Sequence, residues 1–191
     1  MTIRIGIIGT HSTGKTTLLQ RIEMELRAQG HKVARTPGRL AVRAAELGFP
    51  KLKNHTARST EWIMASGIAA ELETGLIADI VLVDRAIPDA LAYYLAALDE
   101  RGEEGDPNEL AHLHALTDLH AKSYDLLFAT VLDPEVPMGD HRDQDAGYRA
   151  AVNRHIHKIA AGIPHHVVAN TDTDRDAAIT TALTLASKVA G

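Results

Sequence analysis

Apolar residues are arranged along the chain in two alternating patterns. Nearly continuous runs at Ile3–Ile8, Ile80–Val83 and Leu126–Leu132 have the length and β-branched content of strands buried on both faces. Weaker strand signals lie at Val33–Arg35 and His165–Ala169. Between the runs the period lengthens. Leu18, Ile22 and Leu26 recur every four residues within Lys15–Gln29, which predicts an amphipathic helix stopped near Gly30. Further helices are predicted over Arg39–Leu47, Thr56–Ile77, from Pro88 to about Leu98, Glu109–His120, Ala146–Ala161 and Asp174–Val189; Pro88 suits a first helical position. Arg101–Asn108 and Asp133–Asp145 are polar and read as loops. This alternation of strand and helix predicts an α/β fold, a five-stranded parallel sheet flanked by helices on both faces.

Composition narrows the picture. A chain of 191 residues supports one well-buried core and falls short of two, so a single domain over 1–191 is expected. The net charge of -5, from 20 basic and 25 acidic residues, argues against a general polyanion binder, whose affinity rests on clustered Lys and Arg. No nucleic-acid partner is expected, and any cationic site must be local. The absence of cysteine excludes disulfides, a thiolate nucleophile and Cys-ligated zinc. Ile3–Ile8 runs straight into a glycine loop, and no stretch approaches the ~18 apolar residues of a membrane span. A soluble cytoplasmic protein without a membrane partner is therefore the expectation, with a homodimer left open.

Gly9-Thr10-His11-Ser12-Thr13-Gly14-Lys15-Thr16 matches G-x-x-x-x-G-K-[ST] at every fixed position, and it sits between a predicted strand and a predicted helix, as a phosphate-binding loop requires. Glycines let successive backbone N–H groups curl inward, and the helix N-terminus adds partial positive charge. Lys15 would then lean against the β- and γ-phosphates of a nucleoside triphosphate. Thr16 would offer its hydroxyl to Mg²⁺, with Thr17 next in the helix. Ser12 and Thr13 either add hydrogen bonds or favour the turn. His11 holds a variable position, where an exposed loop histidine is the ordinary reading.

Asp84 ends the buried run Ile80–Val83. In a parallel sheet its carboxylate would stand beside the phosphate loop, because ligands bind outside the carboxyl ends of the strands. It would bind Mg²⁺ through water, accept a proton from an attacking hydroxyl, or serve as a turn or cap aspartate. Arg85 suits phosphate oxygens or an ion pair. Asp89 would orient Arg85, contact an acceptor hydroxyl, or complement the helix dipole. Tyr93 and Tyr94 face different sides of a helix, with at least one in the core. Arg142, inside the polar loop, and Arg149, in the helix beyond it, are candidates for stabilising a transferring phosphoryl group from a closing lid. His112, His114 and His120 are not on one helical face and read poorly as metal ligands, and His165 and His166 alternate across a strand.

Three segments, GTHSTGKTTL, VLVDRAIPDALAYY and GDHRDQDAGYR, resemble P-loop kinases of the nucleoside and nucleotide kinase type, in the AAA_28 or NadR-like set that includes ribosylnicotinamide kinases. The resemblance implies a P-loop NTPase fold and an ATP-dependent, Mg²⁺-assisted phosphotransferase acting on a small molecule, a nucleoside or nucleotide. It implies an acceptor-binding helical region over about 39–77 and a lid-like loop over about 133–145. Asp84 and Arg85 match the Asp-Arg pair of thymidylate kinases, Arg142 a lid arginine, and Arg39 an arginine that follows the second strand. Relatives often carry a glutamate after that strand where this chain has Thr36-Pro37-Gly38, which shifts the expected general base to Asp84. No guanine-reading N-K-x-D sequence is present, so ATP is the expected donor, with Asn170–Arg175 near its adenine. A nucleotide-dependent regulatory ATPase acting on a protein partner is the alternative.

Overall fold

The computed structural model describes residues 2–136 and 145–189. Five strands, β1 (Ile3–Ile8), β2 (Val33–Arg35), β3 (Ile80–Asp84), β4 (Leu126–Thr130) and β5 (His166–Val168), form one sheet in the order β2-β3-β1-β4-β5. All four pairings are parallel. Helices are α1 (Lys15–Ala28), α2 (Leu40–Glu46), α3 (Ala57–Gly75), α4 (Pro88–Arg101), α5 (Pro107–Ala121), α6 (Ala146–Ala160) and α7 (Asp172–Val189).

Alternation along the strands decides which helix covers which face. Ile3, Ile5 and Ile7 of β1 point to one side, where they join Leu18, Leu19, Ile22 and Leu26 of α1 and the buried alanines and Ile179 of α7. Ile8, Val81 and Val83 point to the other side, against α4 and α6. A third apolar cluster ties α4 to α3 and α5 through Met64, Leu91, Tyr94 and Leu113. Both tyrosines predicted to straddle α4 are buried: Tyr93 packs on the sheet side and Tyr94 in the third cluster.

Local signals set the helix ends. Gly102, in the left-handed conformation (φ 64°), stops α4 three residues beyond the expected end, a position that favours glycine. Asp106 accepts the N–H groups of Asn108 and Glu109, starting α5 at Pro107. Thr56 and Ser59 close a reciprocal capping box at the head of α3, and Asp145 accepts the Tyr148 N–H at 2.8 Å to begin α6. The segment between α2 and α3, for which the sequence predicts no element, contains a 3-10 turn at Leu52–Asn54. Within the polar loop, residues 137–144, and with them the proposed lid residue Arg142, lie outside the described residues.

Candidate active site

Parallel strands bring three functional segments to one edge of the sheet. β1 runs into the Gly9–Lys15 loop. Ile7 pairs with Asp84, placing the end of β3 beside it, and Thr130 at the end of β4 flanks it on the other side. The loop depends on its glycines. A Cβ on Gly9, at φ 155°, would come within 1.9 Å of Thr130 Oγ1. Ser12 and Gly14 are both in the left-handed region. Thr13 Oγ1 donates to the Thr10 carbonyl at 2.9 Å and lies 2.7 Å from Thr130 Oγ1, which ties the loop to β4.

Lys15 is buried, and its ammonium donates back to the carbonyls of Gly9 (2.6 Å) and Thr10. The charge is thus held directly over the curled backbone. The Thr16 hydroxyl donates to Asp84 Oδ2 at 2.8 Å, and Arg35, the last residue of β2, reaches the same oxygen at 3.5 Å. Asp84 Oδ1 carries no hydrogen bond among the described residues. A hydroxyl and a carboxylate side by side, next to a phosphate cradle, are the hard oxygen ligands that Mg²⁺ takes while keeping most of its waters and binding substrate phosphates. Thr16 and Asp84 therefore fit the metal expected from the sequence.

Arg85 follows Asp84 in a left-handed conformation (φ 67°). Its guanidinium lies 3.4 Å from Asp89 Oδ2 and 3.3 Å from Tyr93 Oη, and stands over the Tyr93 ring. Asp89 is buried and receives the Gly9 N–H at 2.9 Å. Burial pushes its carboxyl above the usual carboxylate range, against the opposing pull of Lys15, Arg85 and the Gly9 amide. Asp89 thus couples the start of the phosphate loop to Arg85.

His11 departs from the expectation of an exposed loop histidine. It is 5% exposed, because α4 and α6 close over the loop: Tyr93 Oη lies 3.5 Å from His11 Nδ1, and Arg149 covers the backbone. Arg149 donates to the carbonyls of His11 (3.2 Å) and Ser12 (3.1 Å), so it braces the loop from behind. Arg39, at φ 72°, opens α2 and faces a cavity, and Thr36, Pro37 and Gly38 line the same wall. Arg175 lies against the loop from α7, with one guanidinium nitrogen 2.5 Å from where a Gly14 Cβ would stand, and also donates to Asn170. The segment proposed to lie near an adenine therefore borders the phosphate loop.

A cavity of about 1110 Å³ extends from the loop between α2, α3 and the β3–α4 turn. The loop, Asp84, Arg85 and Asp89 line one part of it, and aliphatic residues including Leu40, Leu52, Ile63 and Ile87 line another. Sequence reasoning missed Arg35, Tyr93 as a partner of Arg85, and His55, which also lines the cavity. For Arg35 a signal existed. It pairs with Leu82 in register, two residues before Asp84, so the shared carboxyl edge of a parallel sheet brings the two side chains together. The helical histidines meet acids of α3 instead of one another: His112 lies 3.0 Å from Glu61 and His120 2.7 Å from Glu71. No helix among the described residues is long and apolar enough to cross a membrane.

Comparisons with known proteins agree with this fold. A thymidylate kinase from Candida albicans superposes with a TM-score of 0.65 at 17% identity, covering 98% of this chain and 92% of that one. A deoxyadenosine kinase from M. mycoides, solved with dATP bound, superposes with a TM-score of 0.64 at 14% identity, covering 94% of this chain and 98% of that one. At such identities the likeness is one of fold, that of P-loop nucleotide kinases. No curated protein matches the chain. The model of the AAA_28 family, described as an AAA domain, matches residues 4–176, and the chain belongs to that family.

Proposed function

We propose that this protein transfers the γ-phosphoryl group of ATP to a nucleoside or nucleotide. The observation that carries the reading is the 2.8 Å contact between Thr16 and Asp84 at the point where the phosphate loop opens into the acceptor-sized cavity. The cavity also favours a phosphotransferase over a regulatory switch, which needs no chamber for a second substrate.

In this reading the N–H groups of Gly9–Thr17, with His11 and Ser12 contributing backbone, hold the triphosphate. Lys15 swings from the loop carbonyls onto the β- and γ-phosphates, replacing two carbonyl contacts by stronger charge-assisted ones. Thr16 and Asp84 would hold Mg²⁺, which would supply positive charge to offset the negative charge of the triphosphate. Asp84 also lines the cavity and receives the proton of an acceptor hydroxyl. Arg85, aimed by Asp89 and Tyr93, stabilises the charge that spreads over the equatorial oxygens of the transferring group. Arg39 contacts the acceptor, and Arg149 holds the loop in shape. Catalysis is then positioning plus electrostatic stabilisation, with little covalent work for the protein.

The test is label transfer. With ATP labelled at the γ-phosphate, Mg²⁺ and a set of nucleosides and 5′-monophosphates, label should appear in one class of acceptor. Lys15→Ala should lower that rate by roughly a thousandfold or more with the fold retained by circular dichroism. Label that reaches no acceptor, or that transfers equally well in Lys15→Ala, contradicts the proposal.

A further inference from the structure

His55 stands in the cavity wall between α2 and α3 and is 5% exposed. The protein fixes it from two directions. Arg101 Nη1 donates to the His55 carbonyl at 3.1 Å and also to that of Lys53, which sets the backbone. Ring Nδ1 lies 3.1 Å from Ser59 Oγ. Ser59 is itself held within 2.9 Å of both the N–H and the carbonyl of Thr56, in the capping box that starts α3. Nε2 has no partner among the described residues.

A fixed imidazole with one nitrogen open on a cavity wall is ready to bond a ligand without first leaving a protein partner. The same cavity is lined by the apolar Leu52, Ile63, Ala70 and Ile87, with Lys51 and Glu71 also on it. A hydrogen-bonding group in such a wall orients a ligand without supplying most of its binding energy. The ring is also neutral near pH 7, because burial and then the Arg101 charge hold its pKa at about 4. With the Ser59 hydroxyl proton on the Thr56 carbonyl, Nδ1 donates to Ser59 Oγ and Nε2 is left as an acceptor, so it selects a hydroxyl, amino or imino donor and offers nothing to a phosphate.

We propose that His55 is a specificity-determining residue for the acceptor, its Nε2 bonding an uncharged polar group on the edge of a heterocyclic base while the reacting oxygen lies beside Asp84. The inference rests on the phosphotransferase reading and adds to it the group that discriminates among acceptors.

Two substitutions separate contact from structure. In His55→Asn the side-chain amide overlays Nδ1, keeping the Ser59 bond and losing Nε2. In His55→Gln the amide reaches the Nε2 position. ADP release is measured for wild type and both variants with MgATP and each of a set of ribo- and deoxyribonucleosides and their 5′-monophosphates, alongside calorimetry with MgATP alone. His55→Asn should raise the acceptor KM roughly tenfold or more, as loss of a hydrogen bond to a buried group does, with the ATP KM and melting temperature unchanged. His55→Gln should recover much of the loss. An unchanged acceptor KM in His55→Asn, or both KM values rising together with a lower melting temperature in both variants, overturns the inference and leaves the phosphotransferase reading intact. MgATP binding with turnover of no acceptor overturns the acceptor class and this inference together. Failure of the wild type to bind MgATP overturns the underlying reading.

Discussion

The Thr16 hydroxyl donates to Asp84 Oδ2 across 2.8 Å although 68 positions separate the two in sequence. Parallel pairing of β1 with β3 brings them together, and the pair stands where a metal would bridge the protein and the triphosphate. Asp84→Asn keeps the shape and removes the charge. It should lower kcat by about two to three orders of magnitude, in the range seen when one electrostatic stabiliser is lost, and raise the Mg²⁺ concentration needed for half-maximal activity. A magnesium titration of wild type and variant reads both quantities; a variant with unchanged magnesium dependence would remove Asp84 from the metal site.

Arg149 spans two consecutive loop carbonyls, those of His11 and Ser12, while 4% exposed. Arg149→Ala removes both of these hydrogen bonds, and the expected cost is about 1–3 kcal/mol. The fork geometry matters, so Arg149→Lys should restore only part of it. Denaturant unfolding gives the stability term and MgATP calorimetry the loop term. An Arg149→Ala protein with wild-type stability and wild-type ATP affinity would show that the brace is idle.

Gly9 is constrained from two sides, by its φ of 155° and by Thr130 Oγ1 at 1.9 Å from the would-be Cβ. Gly9→Ala must displace β4 or the loop itself. Overpacking of this kind costs about 1–3 kcal/mol, and here it should also abolish ATP binding, since the displaced backbone carries the phosphate ligands. By contrast Gly38→Ala, with no atom within 4 Å of its Cβ, should change neither melting temperature nor ATP affinity.

His55 makes stability depend on pH. Its pKa falls from 6.5 to about 4 in the folded state, through burial first and the Arg101 charge second. The unfolded chain therefore binds the extra proton between those values, and the stability carried by the neutral ring is complete above pH 6.5 and lost as pH falls toward 4. A shift of this size corresponds to about 3 kcal/mol. Unfolding free energies measured from pH 7 to pH 4 should decline more steeply for wild type than for His55→Gln. Parallel curves would place the histidine in water instead of the wall.

Much of this architecture was legible in the sequence because its causes are local. The phosphate loop is a contiguous motif whose backbone geometry needs glycine at fixed places, and Ile3–Ile8 and Ile80–Asp84 are strands because a sheet covered on both faces demands unbroken apolar runs. Asp84 followed from its position at the end of such a run. What escaped depends on contacts between distant segments. His11 looked like an exposed loop residue because nothing in its neighbourhood announces that Tyr93 and Arg149 close over it. Arg149 was read as facing substrate, and the carbonyls it meets lie 137 and 138 positions away. His55 stands just before the helix predicted to start at Thr56, and its significance emerges only once Arg101 and Ser59 are seen to fix it. The ends of α4 and α5 differ from expectation for a simpler reason: Gly102 and Asp106 act as stop and start signals inside a segment whose charge suggested a longer loop.

The phosphotransferase reading is tested most directly by measuring ADP release and phosphorylated product together, with MgATP and a panel of nucleosides and 5′-monophosphates. The account predicts that ADP appears only when one class of acceptor is added, one for one with a phosphorylated acceptor, and that both signals vanish in Lys15→Ala. ADP release that proceeds at the same rate without any acceptor, with no phosphorylated product formed, would contradict it.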